Sequence, residues 1–230
     1  MPTSNNPAPP PPPPKTRILL VDDHTLLRRG LAALIETDPD LEICGEAATR
    51  QAGLDAIAAS QPDLVIADLS LKDSDGLEMI KDIKLRFPLL PVLVLSMHEE
   101  AIYAERALRA GARGYVTKQE LDDTVLIAIR RLLAGEIHTS ETMGRQFIRK
   151  FMGGSTLRKG PGMDLLSDRE LEVFRLIGSG KTTREIAQTL HLSVKTIESY
   201  REHLKAKLEL SSGPDLSRCA ILWMETGRLK

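Results

Sequence analysis

The sequence contains little cysteine and no long apolar segment, and both absences exclude classes of protein. Only two of its 230 residues are cysteines, Cys44 and Cys219, and they lie far apart, one in each half of the chain. This is too few for a disulfide framework or a cysteine metal site, so we expect reduced thiols. No apolar run approaches the roughly 18 residues that a membrane-spanning helix needs, and no charged-then-apolar signal segment opens the chain. We therefore expect a cytoplasmic protein without membrane contact.

The length and the charge distribution indicate two domains with different tasks. A chain of 230 residues is long for one domain and sufficient for two. The net charge of -1 conceals an uneven distribution. Residues 1–134 carry 15 basic and 20 acidic side chains, whereas residues 155–230 carry 13 basic and 10 acidic ones. An acidic half followed by a basic half makes nucleic acid the candidate partner of the second half.

Residues 17–134 show the pattern of an α/β domain. The stretch 63–68 runs through four apolar residues into Asp68 without alternation, as in a strand buried on both faces of a parallel sheet. The other predicted strands are 18–21, 41–47, 92–95 and 112–116. Each strand is followed by a segment with helical spacing, which predicts a doubly wound five-stranded parallel sheet with helices on both faces. The strand 41–47 alternates apolar and polar residues, so we expect it nearer a sheet edge.

The remaining segments differ from this domain in composition. Residues 1–16 are dominated by proline, so we expect a disordered or polyproline II tail. Residues 135–162 hold one modest helix, predicted from Ser140 to Met152, and then glycine-rich sequence, which is typical of a linker. Residues 163–230 are predicted to be all helical, because helical spacing recurs and two capping boxes (Ser or Thr with Glu three residues later) begin helices there.

Polar residues follow four of the five predicted strands, at the point where each strand ends. Because the carboxyl ends of parallel strands meet at one edge of a sheet, we expect these side chains to converge on one pocket. Three crowded carboxylates repel one another and need a cation, and oxygen ligands of this kind suit Mg²⁺. A carboxylate can also attack phosphorus, while an ammonium and a hydroxyl group hold the phosphoryl oxygens. The residues concerned are Asp22, Asp23, Asp68, Ser96 and Lys118.

Residues 183–190, a short turn and the helix from Ser193 have the proportions of a helix-turn-helix. The predicted core between the two helices consists of Ile186, Ala187, Leu190, Val194, Ile197, Leu204 and Leu208. The residues expected to meet base edges or phosphates are Lys181, Thr182, Lys195, Thr196, Glu198, Ser199, Arg201, Glu202 and Lys205. An ordinary helical hairpin with a charged solvent face fits the same spacing.

The pocket residues and their surroundings resemble the receiver domain of two-component response regulators. The resemblance covers about residues 17–134. It implies a flavodoxin-like fold in which Asp68 accepts a phosphoryl group from a partner histidine kinase. One departure is Lys72, four residues after the acceptor, where the family usually has proline. The resemblance is carried by Asp22-Asp23, Asp68-Leu69-Ser70, Gly76-Leu77-Glu78, Ser96 and Lys118.

The same resemblance implies a metal site in the pocket. Asp23 and Asp68 would hold Mg²⁺ together with the backbone carbonyl of Ser70, and Asp22 would contribute through a water molecule. The ion would lie beside the acceptor carboxylate, so that it also binds the incoming phosphoryl oxygens.

The resemblance also assigns the switch. Lys118 would bridge to the phosphoryl group, Ser96 would hydrogen-bond to it, and Tyr115 would change its rotamer with it. A second interpretation is an enzyme, a metal-dependent phosphohydrolase that uses the same carboxylate pocket. Such an enzyme would have an acidic acid/base residue two positions after Asp68, where this chain has Ser70. The pattern therefore favours a phosphoacceptor with at most slow autodephosphorylation over an enzyme.

Residues 163–230 resemble the LuxR-type DNA-binding domain. Joined to a receiver, this domain is similar to the NarL/FixJ class of response regulators, in which phosphorylation switches the binding of double-stranded DNA and the regulation of transcription. The class implies a homodimer on inverted half-sites, paired through the last helix, predicted at 215–226. Glu198 and Glu202 are departures, because some members present lysine there. The motifs that carry the resemblance are Leu166–Val173, Thr183–Ala187 and Leu192–Arg201.

Overall fold

The structure is a computed structural model in which residues 14–71, 76–97, 100–120, 123–145, 163–190 and 192–226 are described. Several predictions lie outside these residues. They include most of the proline-rich tail, the departure at Lys72, and the C-terminal part of the helix predicted from Ser140 to Met152. The glycine-rich end of the predicted linker is also outside the described ranges.

The N-terminal half contains a sheet of five strands, all paired in parallel. The order β2-β1-β3-β4-β5 is that of flavodoxin-like folds, and it confirms the predicted doubly wound sheet. The strand β2 lies at an edge, as its alternating sequence indicates. The strands are β1 (Thr16–Val21), β2 (Leu41–Ala47), β3 (Leu64–Ala67), β4 (Val92–Ser96) and β5 (Gly114–Thr117).

Helices cover both faces of this sheet, and successive side chains of each central strand alternate between them. Ile18 and Leu20 of β1 face the layer formed by the first and fifth helices of this N-terminal half. Leu19 and Val21 face the other three helices. The β3 residues are all buried, because both of their faces are covered and neither edge is free. The helices are α1 (Thr25–Ile35), α2 (Arg50–Ser60), α3 (Gly76–Arg86), α4 (Glu100–Ala110) and α5 (Asp123–Leu133).

The C-terminal half is helical, as predicted. Both predicted capping boxes are present: Glu170 and Glu185 each accept a hydrogen bond from the backbone of the Ser or Thr that precedes the helix. Among the described helices, none is long and apolar enough to cross a membrane. The helices are α6 (Asp168–Gly178), α7 (Thr183–Thr189), α8 (Val194–Lys207) and α9 (Gly213–Thr226).

The start of the predicted linker is attached to the sheet. The backbone amide of Tyr115 donates to the carbonyl of His138 at 2.9 Å, and the amide of His138 donates to the carbonyl of Arg113 at 3.0 Å. These bonds extend the sheet beyond β5 by one short bridge. Residues 141–145 then form a helical turn. The segment that follows α5 is therefore part of the N-terminal domain's surface.

The two halves are in contact. One continuous cluster of buried apolar residues includes the α2–α4 side of the sheet, Met143, Met163 and the interior of the helical domain. Polar contacts accompany it: the Arg106 guanidinium donates to the carbonyl of Leu166, and Arg169 Nη2 donates to the carbonyl of Leu71 at 3.1 Å. The helical domain is therefore docked against the α4 side of the receiver-like domain.

The close packing of α6 on α9 generates a stability prediction at Gly178. A Cβ atom there would lie 2.7 Å from the carbonyl oxygen of Ala220 and 2.7 Å from Cγ of Met224. We expect Gly178→Ala to destabilise the helical domain by about 1–3 kcal/mol, because the backbone of α9 has to move. Urea unfolding followed by the fluorescence of Trp223, the single tryptophan, measures this domain.

The matched control is Gly30→Ala in α1. No atom lies within 4 Å of the Cβ position at Gly30. Alanine favours a helix over glycine by up to about 1 kcal/mol, so this variant is expected to stabilise only the N-terminal domain. An unchanged Trp223 transition in Gly178→Ala would show that the two helices do not pack as described.

Candidate functional site

The carboxyl edge of the sheet carries a cluster of buried charges. Lys118, just after β5, places Nζ 2.7 Å from Asp22 Oδ2 and 2.8 Å from Asp68 Oδ2. Asp22 follows β1 and Asp68 follows β3, and these two strands are neighbours in the sheet. All three side chains are less than a tenth exposed. The parallel topology therefore brings together three predicted residues that are up to 96 positions apart in the sequence.

Asp68 is the most buried carboxylate of this cluster. Burial raises the pKa of its carboxyl above the ordinary value, the charge of Lys118 opposes this, and the nearby Asp22 adds to it. Its Oδ1 atom is buried and forms no hydrogen bond within the part of the chain that the structure describes. One oxygen is thus held by the lysine, while the other is left without a hydrogen-bond partner among the described residues.

His24 also lies at this pocket, and the sequence analysis did not select it. Its Nδ1 atom is 2.9 Å from Asp23 Oδ1, 3.2 Å from Asp22 Oδ1 and 3.9 Å from Asp68 Oδ2. One ligand atom from each of these four residues lies within 4.8 Å of the others. The signal that could have identified it was its place directly after the acidic pair, at the end of the same strand.

The other pocket residues have the following positions. Ser96 ends β4 and is fully buried, and its carbonyl accepts a hydrogen bond from the Lys118 amide at 2.8 Å. Tyr115 is buried in β5, on the α4 side of the sheet. Ser70 is half-buried, two residues beyond Asp68. The two proposed switch residues are therefore on adjacent strands, and the apolar cluster that contains Tyr115 continues into the helical domain.

Residues 69–71, directly after Asp68, contact both the start of α3 and the helical domain. A Cβ atom at Gly76 would lie 2.4 Å from Cα of Leu69 and 2.7 Å from the carbonyl oxygen of Asp68, so only glycine fits there. The carbonyl of Leu71 accepts the bond from Arg169. The three residues 69–71 thus connect the Asp68 carboxylate to a side chain of the second domain.

The core of the helix-turn-helix agrees with its prediction except at one position. Ile186, Ala187, Ile197 and Leu204 are buried, and Leu190 and Leu208 pack against them. Val194 was predicted to be in this core, but it is 40% exposed. It is the first residue of α8, so no preceding turn of this helix covers it.

An ion pair between a buried glutamate and an exposed lysine connects α6 and α8 of this domain. The Glu170 carboxylate in α6 accepts a hydrogen bond from Lys207 Nζ at 2.6 Å and another from the Ser167 amide at 2.7 Å. Burial alone would raise the pKa of Glu170, but these hydrogen bonds hold it below its ordinary value. The pair therefore links the last turn of α8 to the start of α6.

The outward face of α8 is accessible although the two domains are docked. Lys195, Glu198, Ser199 and Glu202 are exposed, whereas Thr196, Arg201 and Lys205 are half-buried. Glu202 is paired with Lys205, with 2.9 Å between Oε2 and Nζ. Before α7, Lys181 and Thr182 are exposed, and Thr182 caps that helix. The acidic charge at position 202 is therefore partly neutralised on its own helix.

Comparison with protein families gives one match for each half of the chain. Residues 18–130 match the response regulator receiver domain. Residues 164–220 match the bacterial regulatory proteins of the luxR family. The first match spans the sheet and its acidic edge, and the second begins at the Met163–Leu165 turn and ends within α9.

Curated relatives match nearly the whole chain. The oxygen regulatory protein NreC of Staphylococcus aureus (strain bovine RF122 / ET3-1) is 32% identical over 208 residues, which are 89% of this chain and 96% of the relative. The protein of the same name from Staphylococcus haemolyticus (strain JCSC1435) is 31% identical, with the same coverage of both chains.

Solved structures give the same assignment. RcsB from Salmonella enterica serovar Typhimurium, bound to promoter rprA in the presence of the phosphomimetic BeF3-, is 28% identical with a TM-score of 0.56, covering 89% of this chain and 97% of that one. A LuxR-family two-component response regulator from Aurantimonas sp. SI85-9A1 is 32% identical with a TM-score of 0.56, covering 60% of this chain and 98% of that one. The chain belongs to the NarL/FixJ class of two-component response regulators, in which a receiver domain controls transcription through a LuxR-type DNA-binding domain.

Proposed function

We propose that Asp68 is the residue that a partner histidine kinase phosphorylates. The observation that supports this is the position of its carboxylate, which directly follows the central strand with Oδ2 held by Lys118 and with Oδ1 buried but not hydrogen-bonded to any described residue. A carboxylate oxygen of Asp68 forms the bond to phosphorus, and the phosphorus–nitrogen bond of the phosphohistidine breaks. The electron pair of that bond returns to the kinase imidazole. Any autodephosphorylation by water is slow.

The pocket fits a divalent cation. Asp22, Asp23 and Asp68 bring carboxylate oxygens close together, and such oxygens are the ligands that Mg²⁺ prefers. Burial raises the pKa of the Asp68 carboxyl above its ordinary value, and a nearby cation would favour its charged form. Asp23, Asp68 and the carbonyl of Ser70 would hold Mg²⁺, with Asp22 acting through a water molecule. When bound, Mg²⁺ neutralises the carboxylates and the phosphoryl oxygens. The protein residues then orient the acceptor oxygen.

Phosphorylation is transmitted by two routes from the pocket to the helical domain. Lys118, now within reach of both Asp22 and Asp68, would turn to the phosphoryl oxygens, while Ser96 and Tyr115 move with them. The loop after Asp68 would shift the carbonyl of Leu71 that Arg169 contacts. Either movement changes the docking of the two domains and shifts the population between two arrangements.

The helical domain reads double-stranded DNA. Lys195, Thr196, Glu198, Ser199 and Glu202, at the start and on the outward face of α8, are placed to meet base edges. The residues assigned to phosphates are Lys181, Thr182, Arg201 and Lys205. A glutamate can accept a hydrogen bond from a cytosine amino group, which gives the acidic positions a role in specificity.

The whole regulator has the following organisation. Residues 17–134 form the receiver, 135–162 the linker, and 163–230 the DNA-binding domain, with a proline-rich tail at 1–16. The phosphorylated protein binds inverted half-sites as a homodimer paired through α9. It acts in the cytoplasm, where a bacterial regulator meets its DNA.

The first functional prediction concerns the acceptor. Asp68→Ala is expected to abolish phosphorylation by acetyl phosphate and Mg²⁺, because the nucleophile is removed, while the far-ultraviolet circular dichroism stays unchanged. Mass spectrometry measures the added phosphate. Asp63→Ala is the matched control, since it removes an exposed carboxylate at the opposite end of the same strand.

Two outcomes would contradict the acceptor assignment. Normal phosphate uptake by Asp68→Ala would place the acceptor elsewhere. Continuous release of inorganic phosphate by the wild-type protein, instead of one stable phosphate per chain, would indicate a phosphohydrolase.

The second functional prediction concerns the DNA interface. Lys181→Ala is expected to weaken binding to a selected duplex and to reduce the slope of log affinity against log salt concentration by about one, because one phosphate contact is lost. Fluorescence anisotropy at several salt concentrations measures the slope. Lys81→Ala removes an exposed lysine of the receiver and should change neither value. A retained wild-type affinity and slope in Lys181→Ala would exclude that contact.

The third functional prediction concerns coupling between the domains. Lys118→Ala is expected to accept phosphate, more slowly than wild type, yet to lose most of the phosphate-dependent gain in DNA affinity. A lost charge-assisted hydrogen bond amounts to about 1.5–3 kcal/mol, or roughly a ten- to hundredfold change in that gain. DNA affinity is measured with and without acetyl phosphate at equal phosphate occupancy. An equal gain in variant and wild type would mean that other residues transmit the signal.

A further inference from the structure

His24 and Lys118 both lie at the carboxylate cluster, but their shortest contacts are to different oxygens. Lys118 Nζ contacts the Oδ2 atoms of Asp22 and Asp68. His24 Nδ1 lies nearest the Oδ1 atoms of Asp22 and Asp23 and is 3.9 Å from Asp68 Oδ2. The imidazole is also much more exposed than the ammonium, since the His24 side chain is 57% exposed and the Lys118 side chain 2%.

The position of the imidazole is not explained by helix capping. His24 is the N-cap residue of α1, where a side-chain oxygen commonly accepts a hydrogen bond from the first turn. The His24 side chain makes no such bond. Its backbone amide instead donates to Asp22 Oδ1 at 2.7 Å, which turns the residue toward the pocket. The ring is directed to the carboxylates.

The spacing of these atoms fits a shared metal ion. Two neighbouring ligands of an octahedral ion, each about 2.1 Å from the metal, lie about 3 Å apart. Nδ1 is 2.9 Å from Asp23 Oδ1 and 3.2 Å from Asp22 Oδ1. Asp68 adds the buried oxygen that has no hydrogen bond among the described residues. The cluster therefore offers one nitrogen ligand beside three carboxylates.

We propose that His24 is a metal ligand and that it sets the metal preference of the pocket. An all-oxygen site suits Mg²⁺, whereas an imidazole nitrogen favours borderline divalent transition ions such as Co²⁺, Fe²⁺ and Ni²⁺. The pocket would bind these ions more tightly, relative to Mg²⁺, than its carboxylates alone would do. This inference rests on the proposed cation site at Asp23 and Asp68 and adds a residue and a selectivity to it.

The test compares two metals in three full-length proteins. Isothermal titration calorimetry gives the dissociation constants of Mg²⁺ and Co²⁺ for wild type, His24→Ala and His203→Ala. The ratio of the Mg²⁺ constant to the Co²⁺ constant is expected to fall at least about tenfold in His24→Ala, because the nitrogen ligand contributes mainly to Co²⁺. His203 is an exposed histidine of α8, far from the pocket in sequence, and its removal should leave the ratio unchanged.

A spectroscopic measurement identifies the ligand directly. Paramagnetic Co²⁺ shifts the proton resonances of a coordinated imidazole far outside the diamagnetic range. One such imidazole is expected in the proton spectrum of the wild-type protein with one equivalent of Co²⁺, and none in that of His24→Ala. Circular dichroism confirms that this exposed substitution preserves the fold.

Three results would overturn the inference. They are equal loss of Mg²⁺ and Co²⁺ affinity in His24→Ala, no loss at all, or the same loss in His203→Ala, which would indicate surface binding of Co²⁺. The proposed cation site is tested separately by Asp23→Asn. If this variant retains wild-type affinity for both ions, the site itself is wrong, whereas lost affinity together with an unchanged His24→Ala ratio refutes only the role of the imidazole.

Discussion

The crowding of negative charge at one sheet edge is the constraint on which the rest of the structure depends. Two like charges about 4 Å apart repel by about 4 kcal/mol at an effective dielectric constant of about 20, and a domain is stable by only about 5–15 kcal/mol. Asp22 and Asp68 are both buried, and Lys118 is the cation that contacts the two. The same ammonium is the proposed partner of the phosphoryl group. One side chain would therefore both neutralise the buried carboxylates and take part in signalling.

The sheet and its acidic pocket could be predicted because both follow from short-range patterns. Unbroken apolar runs specify strands buried on two faces, and parallel pairing then places their last residues together whatever the sequence separation. Asp22, Asp68 and Lys118 meet for this reason. The capping boxes that begin α6 and α7 are equally local, since each is formed by residues three positions apart.

Other features could not be predicted, because they depend on side-chain direction or on the placement of whole domains. His24 is at a strand-to-helix junction, where neither the period of a strand nor that of a helix tells which way a ring points. The bond from Arg169 to the Leu71 carbonyl joins residues 98 positions apart in separate domains, and no periodicity encodes it. Val194 is apolar, like the residues of the core, but it lies in the first turn of its helix, where no preceding turn covers its side chain.

The outward face of α8 is open in the docked arrangement, which bears on how such a regulator can stay inactive before phosphorylation. A receiver that covered α8 would sterically block its access to DNA. Here Lys195, Glu198 and Ser199 stay exposed while Arg169 and Arg106 hold the domains together. If these side chains contact DNA as proposed, one half-site can be bound before any signal arrives. The signal would then act by changing whether two copies of α8 are presented at the spacing of one DNA turn. In that case the geometry of the promoter, and not the sequence of a single half-site, would set the background level of transcription.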